Sequence, residues 1–234
     1  MKIAMLFVLA VTLAGAAMAQ ANPEHLAAAD GLVSVKSRAL DDVLVRPGVD
    51  LSAYRSVIVE PVQATLRKDW LKDLNRMRGP VRWLTREDAQ RITDEAAMRL
   101  SGMTAMVFQE RGYAIVSAPA AGVLSLSPTI SDLDVNAPDE PTPGVAKYFV
   151  RDAGIATLSL DVRDAVSGAL LARVVDRGTA SEIRQINRAT SVTNEFWFDA
   201  LFRQWTTACA AVLAEPAAVH RAAFARASLG APGP

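Results

Sequence analysis

From Ile155 to Asp164 apolar and polar side chains alternate with a period of two, and no other feature of the chain restricts its fold as strongly. Ala156, Leu158, Leu160 and Val162 share one face, and Thr157, Ser159, Asp161 and Arg163 share the other. Ser167-Gly168 turns the chain and Ala169–Thr179 returns, which predicts an antiparallel hairpin with one dry and one wet face. The dry face must be covered, and helical periodicities supply the cover. Thr85-Arg86-Glu87-Asp88 is a capping-type start, followed by Ala89, Ile92, Ala96, Leu100, Met103 and Val107 at steps of three or four. Gly112 is placed to end that helix. A second helix is expected over Thr193–Leu213, with Trp197, Leu201, Trp205, Ala208 and Val212 on one face.

The remaining strands are shorter or broken. Ser56–Ala64 is apolar on both faces through Val57, Ile58, Val59 and Val62, and Pro61 is expected to end its ladder or mark a sheet edge. Tyr113–Ser117 reads as a strand. Val123–Val135 places Leu124, Leu126 and Ile130 on one face and then slips by one residue to Leu133 and Val135. That slip predicts a bulge or break, with Pro128 as a contributor. Together these elements predict an α+β two-layer sandwich, a mainly antiparallel sheet with two long helices packed on one face.

The first stretch has a different character. Lys2 precedes a nearly unbroken apolar run from Ile3 to Ala14, and Ala17-Met18-Ala19 is a small-x-small site. This is the layout of a secretory signal peptide cleaved after Ala19, so export to the periplasm is expected; an uncleaved N-terminal anchor is the alternative. No later apolar run is long enough for a transmembrane span. The expected organisation is 1–19 signal peptide, 20–50 leader segment, 51–214 α/β domain and 215–234 flexible tail. The only cysteine is Cys209, which leaves no internal disulfide to support the fold. Basic and acidic residues balance at 25 each, which gives no global electrostatic reason to bind nucleic acid or an anionic membrane.

The search for chemistry is mostly negative. His25 and His220 lie near the two ends, and no Gly-x-Ser-x-Gly elbow or phosphate-binding loop occurs. Cys209 sits among Trp205, Val212 and Leu213 at helical spacing, as a buried small hydrophobe would. Asp132, Asp134 and Asn136 match the first ligand positions of a calcium loop, but Ala137 and Pro143 break the pattern. The other reading is a solvated strand end running into a loop over 136–144. Asp161, Asp164 and Asp176 are expected to pair with Arg163, Arg173 and Arg177 across the wet face of the hairpin. No catalytic, cofactor-binding or metal-ligating residue is assigned.

One stretch stands out for binding. Between residues 67 and 82, Arg67, Lys68, Lys72, Arg76, Arg78 and Arg82 face only Asp69 and Asp73, with Trp70, Leu74 and Met77 at helical spacing. A basic amphipathic turn carrying Trp70 is suited to anionic lipid, peptidoglycan or an acidic partner. The competing reading rests Trp70 and Leu74 on the domain and leaves the charges merely solvated. Arg67, Lys68, Trp70, Lys72, Arg76 and Arg78 are the candidate partner-binding residues.

Several segments, taken in order, resemble the bacterial domain-of-unknown-function family 3313. They are Leu51-Ser-Ala-Tyr54 through Pro61-Val62, Leu84-Thr-Arg-Glu-Asp88, Gly112-Tyr113-Ala-Ile-Val116, Ala153-Gly154 to Asp164, Ser167-Gly168 to Asp176-Arg177, and Phe202-Arg-Gln-Trp205. The likeness spans about residues 40 to 213 and implies an envelope α/β domain with no active-site residues to carry over. The family is described as lipoprotein-like; here Gln20 stands where a lipidated cysteine would. The expectation is a non-enzymatic exported protein that binds an envelope protein or peptidoglycan, with no cofactor. A carboxylate- or metal-dependent hydrolase using Asp132, Asp134 or Asp139, and a homo-oligomeric assembly subunit, are the alternatives.

Overall fold

The structure is a computed structural model that describes residues 30–78, 80, 83–136, 149–150, 152–181, 187–188 and 191–214. The hairpin expected over 155–179 forms as two long antiparallel strands, β8 (Asp152–Asp164) and β9 (Leu170–Ser181), with Leu160 opposite Val174 and Asp161 opposite Arg173. Around them grows an eight-stranded sheet in the order β1-β2-β9-β8-β6-β3-β5, with β4 also paired to β6. Here β1 is Val33–Val35, β2 Asp42–Val45, β3 Ser56–Val59, β4 Gln63–Leu66, β5 Ala114–Ile115 and β6 Val123–Val135. Pairing is antiparallel from β1 to β6, whereas β3 and β4 run parallel to β6, and β5 runs parallel to β3. Strands β7 (Phe149–Val150) and β10 (Asn187–Arg188) form a separate antiparallel pair.

The dry face is the one the alternation assigned: Ala156, Leu158, Leu160 and Val162 are all buried. It is covered by α2 (Arg86–Glu110) and α3 (Ser191–Ala214), two long helices; a seven-residue helix, α1 (Trp70–Arg76), precedes them. The sheet is therefore mainly antiparallel, with the two long helices on one face, and the fold class is α+β.

Helix α2 begins where its capping residues say. The Thr85 hydroxyl accepts from Asp88 N while the Asp88 carboxylate accepts from Thr85 N. It ends at Gly112, whose φ of 88° lets Tyr113 N reach Phe108 O and Gly112 N reach Gln109 O. The Phe108 and Tyr113 rings then meet at 5.4 Å and seal the turn. Helix α3 buries Phe198, Leu201, Phe202, Trp205, Cys209 and Leu213, with Ala208 and Val212 partly buried on its flank. Gly178 lets it approach, because a Cβ there would stand 2.4 Å from Leu201 Cδ1 and 3.0 Å from Trp205 Cζ2.

The phase slip in β6 is a bulge. The register against β8 shifts between Ser131 and Asp134, and Asp132 takes a left-handed φ of 52°. Gly154 faces the distortion with its backbone against Asp134 O, where no Cβ would fit. Pro128 does not cause the bulge: it pairs in register with Leu160, before the shift. Leu126 O accepts from Glu60 N, so Pro128, two residues on, turns its missing N–H toward the same side. That side is the gap between β3 and β4, where no ladder bond is needed. Pro61 lies in the same gap and splits the expected Ser56–Ala64 strand into two.

Part of the 20–50 segment is sheet rather than leader. β1 and β2 extend the sheet beyond β9, and Leu40, Val43 and Val45 enter the core. Strands of three and four residues between turn signals are too short to register as periodicity, and they become strands because β9 offers an edge to pair with. The 1–19 stretch, the 215–234 tail, the loop beyond Asn136 with Asp139, and both histidines lie outside the described residues. Among the described residues, no helix is long and apolar enough to cross a membrane.

Candidate functional site

The basic stretch leaves the sheet at the end of β4. Arg67 N donates to Leu133 O, next to the β6 bulge, and Trp70 N returns to Arg67 O as α1 begins. The helix is two-sided. Trp70 and Leu74, one turn apart, point inward and are buried, and the Trp70 indole Nε1 donates to Val135 O at 3.2 Å. Lys72 and Arg76, also one turn apart, point outward and are exposed, as is Lys68 just before the helix. Trp70 is therefore the anchor of α1, as the competing reading of the stretch has it, and it leaves the set of candidate contact residues. Three apolar residues in seven, Trp70, Leu71 and Leu74, mark an amphipathic turn but do not say which face meets the domain.

Arg67 is also committed to the fold. Its Nε lies 2.7 Å from Asp134 Oδ2 and its Nη1 3.1 Å from Asp73 Oδ2, while Nη1 donates to Lys68 O. The hydrogen bonds to Asp134 and Asp73 hold the guanidinium above its ordinary pKa. Asp73 is shared with Arg76 at 3.6 Å. An open groove of about 450 Å³ runs beside this cluster, lined by Leu66, Arg67, Trp70, Leu71, Lys72 and Asn75 among others.

Beyond α1 the chain closes a tight loop. The Asn75 side chain clamps Leu84 twice, Nδ2 donating to Leu84 O at 2.9 Å and Oδ1 accepting from Leu84 N at 2.8 Å. Trp83 Nε1 donates to Arg78 O at 3.3 Å. The Trp83 ring is thus held in place although it is 58 % exposed, and Met77, beside Arg78, is 80 % exposed. Sequence reasoning missed Trp83. The signal was a tryptophan just after Arg78-Gly79-Pro80, outside the helical repeat that makes Trp70 apolar cover. Among the candidates, the structure leaves Lys68, Lys72 and Arg76 exposed and joins Arg78 to Trp83 through its carbonyl, and it withdraws Trp70 and Arg67 into structural roles.

The acidic candidates do not converge. Asp132 is exposed on the bulge, and Asp134 is ion-paired to Arg67. Among the described residues no group of three or more His, Cys, Asp or Glu side chains is placed to hold a metal ion. On the wet face, Arg173 grips Asp161 with Nε at 2.6 Å and Nη2 at 2.9 Å, and its Nη1 reaches Asp30. Burial raises the Asp161 pKa, but Arg173 and Arg163 more than offset this, so the carboxyl titrates below the ordinary range. Asp164 caps the β8–β9 turn through Ser167 and Val166 and accepts from the Tyr54 hydroxyl.

Asp176 departs from the wet-face expectation. It points into the core, accepting from Trp205 Nε1 at 2.6 Å and from Asp41 N at 2.8 Å. It shares the parity of Val174, and two N–H donors make that position tenable for a carboxylate. Cys209 is buried, and burial, with the nearby Asp176 charge, pushes its thiol up to about 12.

Among solved structures the chain is similar to a PelC dodecamer from Paraburkholderia phytofirmans, at 12 % identity and a TM-score of 0.38, covering 71 % of this chain and 95 % of that one. A single-substitution variant of the same protein aligns at 13 % identity and a TM-score of 0.34, covering 69 % of this chain and 95 % of that one. A Helicobacter pylori protein described as a neuraminyllactose-binding hemagglutinin homolog aligns at 10 % identity and a TM-score of 0.30, covering 82 % of this chain and 96 % of that one. No curated protein matches the sequence. A family model of a protein of unknown function, DUF3313, matches residues 22–208, and the chain belongs to that family.

Proposed function

We propose that the chain is exported to the periplasm with its N-terminal segment removed after Ala19. Its domain then serves as a non-enzymatic binding or accessory module for another cell-envelope component. The three-part layout of residues 1–19 supports export. The two-sided construction of α1 carries the binding reading. Its inner side is fixed to the sheet by Trp70 and Arg67, so its outer side presents Lys68, Lys72 and Arg76 on a rigid support. Cations held this way select a negatively charged partner on a chain whose overall charge is zero.

The test is Lys72→Glu with Arg76→Glu. Both side chains are exposed, so the melting temperature is expected to stay within a few degrees of wild type, while the component that co-purifies from periplasmic extract is lost. Recovery of the same component by the double variant refutes the binding reading. An intact N-terminus on envelope-purified protein, read by mass spectrometry, refutes the cleavage.

A further inference from the structure

We propose that the loop surface made by Lys72, Arg76, Met77, Arg78 and Trp83 docks on an anionic phospholipid bilayer, an inference that rests on the binding role of α1 and names its partner. Charge complementarity gives the first half of the case. Lys72 and Arg76 are exposed cations on the outward side of α1, with exposed Lys68 just before the helix and half-buried Arg78 just after it. Basic residues near an anionic leaflet each add to attraction, and their number sets how steeply binding falls with salt.

The second half is apolar. An acidic polymer or peptide would satisfy the cations and leave Met77 and Trp83 in water. These are two of the large apolar side chains that the described residues leave exposed. Met77 adjoins the residue whose carbonyl accepts from the Trp83 indole, so both sit at one place beside the cations. Pro80, also exposed, lies between them in the loop. The Asn75–Leu84 clamp and the Trp83–Arg78 bond hold the Trp83 ring in place, so binding need not order that side chain. Cations beside a fixed tryptophan and a methionine match the headgroup and acyl-boundary layers of a bilayer, where an indole ring is at home.

The experiment mixes the mature chain, residues 20–234, with vesicles of equimolar phosphatidylglycerol and phosphatidylcholine, or of phosphatidylcholine alone, and measures sedimentation. Bromine-labelled lipid serves as a quencher of tryptophan fluorescence. Binding is expected only with the anionic vesicles and weakens with salt. Lys72→Glu with Arg76→Glu is expected to lower it about a hundredfold, and Trp83→Phe to remove the quenching. Equal binding to both vesicle types, or quenching that survives Trp83→Phe, overturns the proposal, as does unaltered binding by the charge-reversed variant. If vesicles fail but the charge-reversed variant still loses a co-purifying protein or peptidoglycan, the lipid assignment falls and the broader binding role stands. If neither changes, both fall.

Discussion

Replacing Trp70 separates the two readings of the basic stretch. The ring is 2 % exposed, lies in the continuous core, and donates its indole N–H to Val135 O at the end of β6. Trp70→Ala removes the largest side chain tying α1 to the sheet and leaves a cavity beside Leu74. Truncations of this kind cost about 3–5 kcal/mol. For a domain of this size, that lowers the melting temperature by roughly 6–20 °C. Trp70→Phe keeps most of the apolar volume but strands the Val135 carbonyl, at a cost of about 1–2 kcal/mol. Urea denaturation followed by circular dichroism measures both, and the midpoint is expected to fall in the order wild type, Trp70→Phe, Trp70→Ala with little change in slope. A Trp70→Ala protein as stable as wild type would refute the anchoring role and return the indole to the surface as a contact residue.

Three further outcomes follow from packing and charge. Gly154→Ala drives a Cβ into the Asp134 backbone at a φ of 147° and is expected to cost more stability, by thermal melting, than Gly178→Ala, whose Cβ meets the movable end of Leu201; the reverse order would contradict the bulge geometry. The folded pKa of Asp161 is depressed, so its contribution is fully present above the unfolded value of about 4 and is lost as pH falls through the lower folded value. Asp161→Asn is therefore expected to destabilise at neutral pH and to converge with wild type in acid; a gap independent of pH would show that Arg173 gives Asp161 no charge-dependent support. Cys209, with its thiol pushed up to about 12 and almost no exposure, is expected to resist a thiol reagent at mildly alkaline pH until urea unfolds the chain. Fast stoichiometric labelling of the native protein would place that helix face outside the core.

The cores of the long elements were legible because their signals are local. Thr85 and Asp88 lie three residues apart and close a capping box without help from the rest of the chain. The one-residue slip between Ile130 and Leu133 called for a bulge or a break, and the structure takes the bulge, at Asp132. The binding stretch was legible as a region but not by residue. Trp83 stands after the Gly79-Pro80 break and outside the helical repeat that holds Trp70, and the inward turn of α1 and the outward position of Trp83 show what that difference means.

The sequence alone determined the hairpin, the capped helix, the bulge and the cationic character of residues 67–82, since each depends on neighbours within a few positions. Tertiary structure decided which of those charges remain available, because Arg67 finds Asp134 across 67 residues. It also decided that Asp176 faces inward, because Trp205 and Asp41 arrive from 29 and 135 residues away to satisfy it. It recruited Val33–Val35 and Asp42–Val45 into the sheet as well, since a strand of three or four residues is stable only beside an edge that another part of the chain has already built.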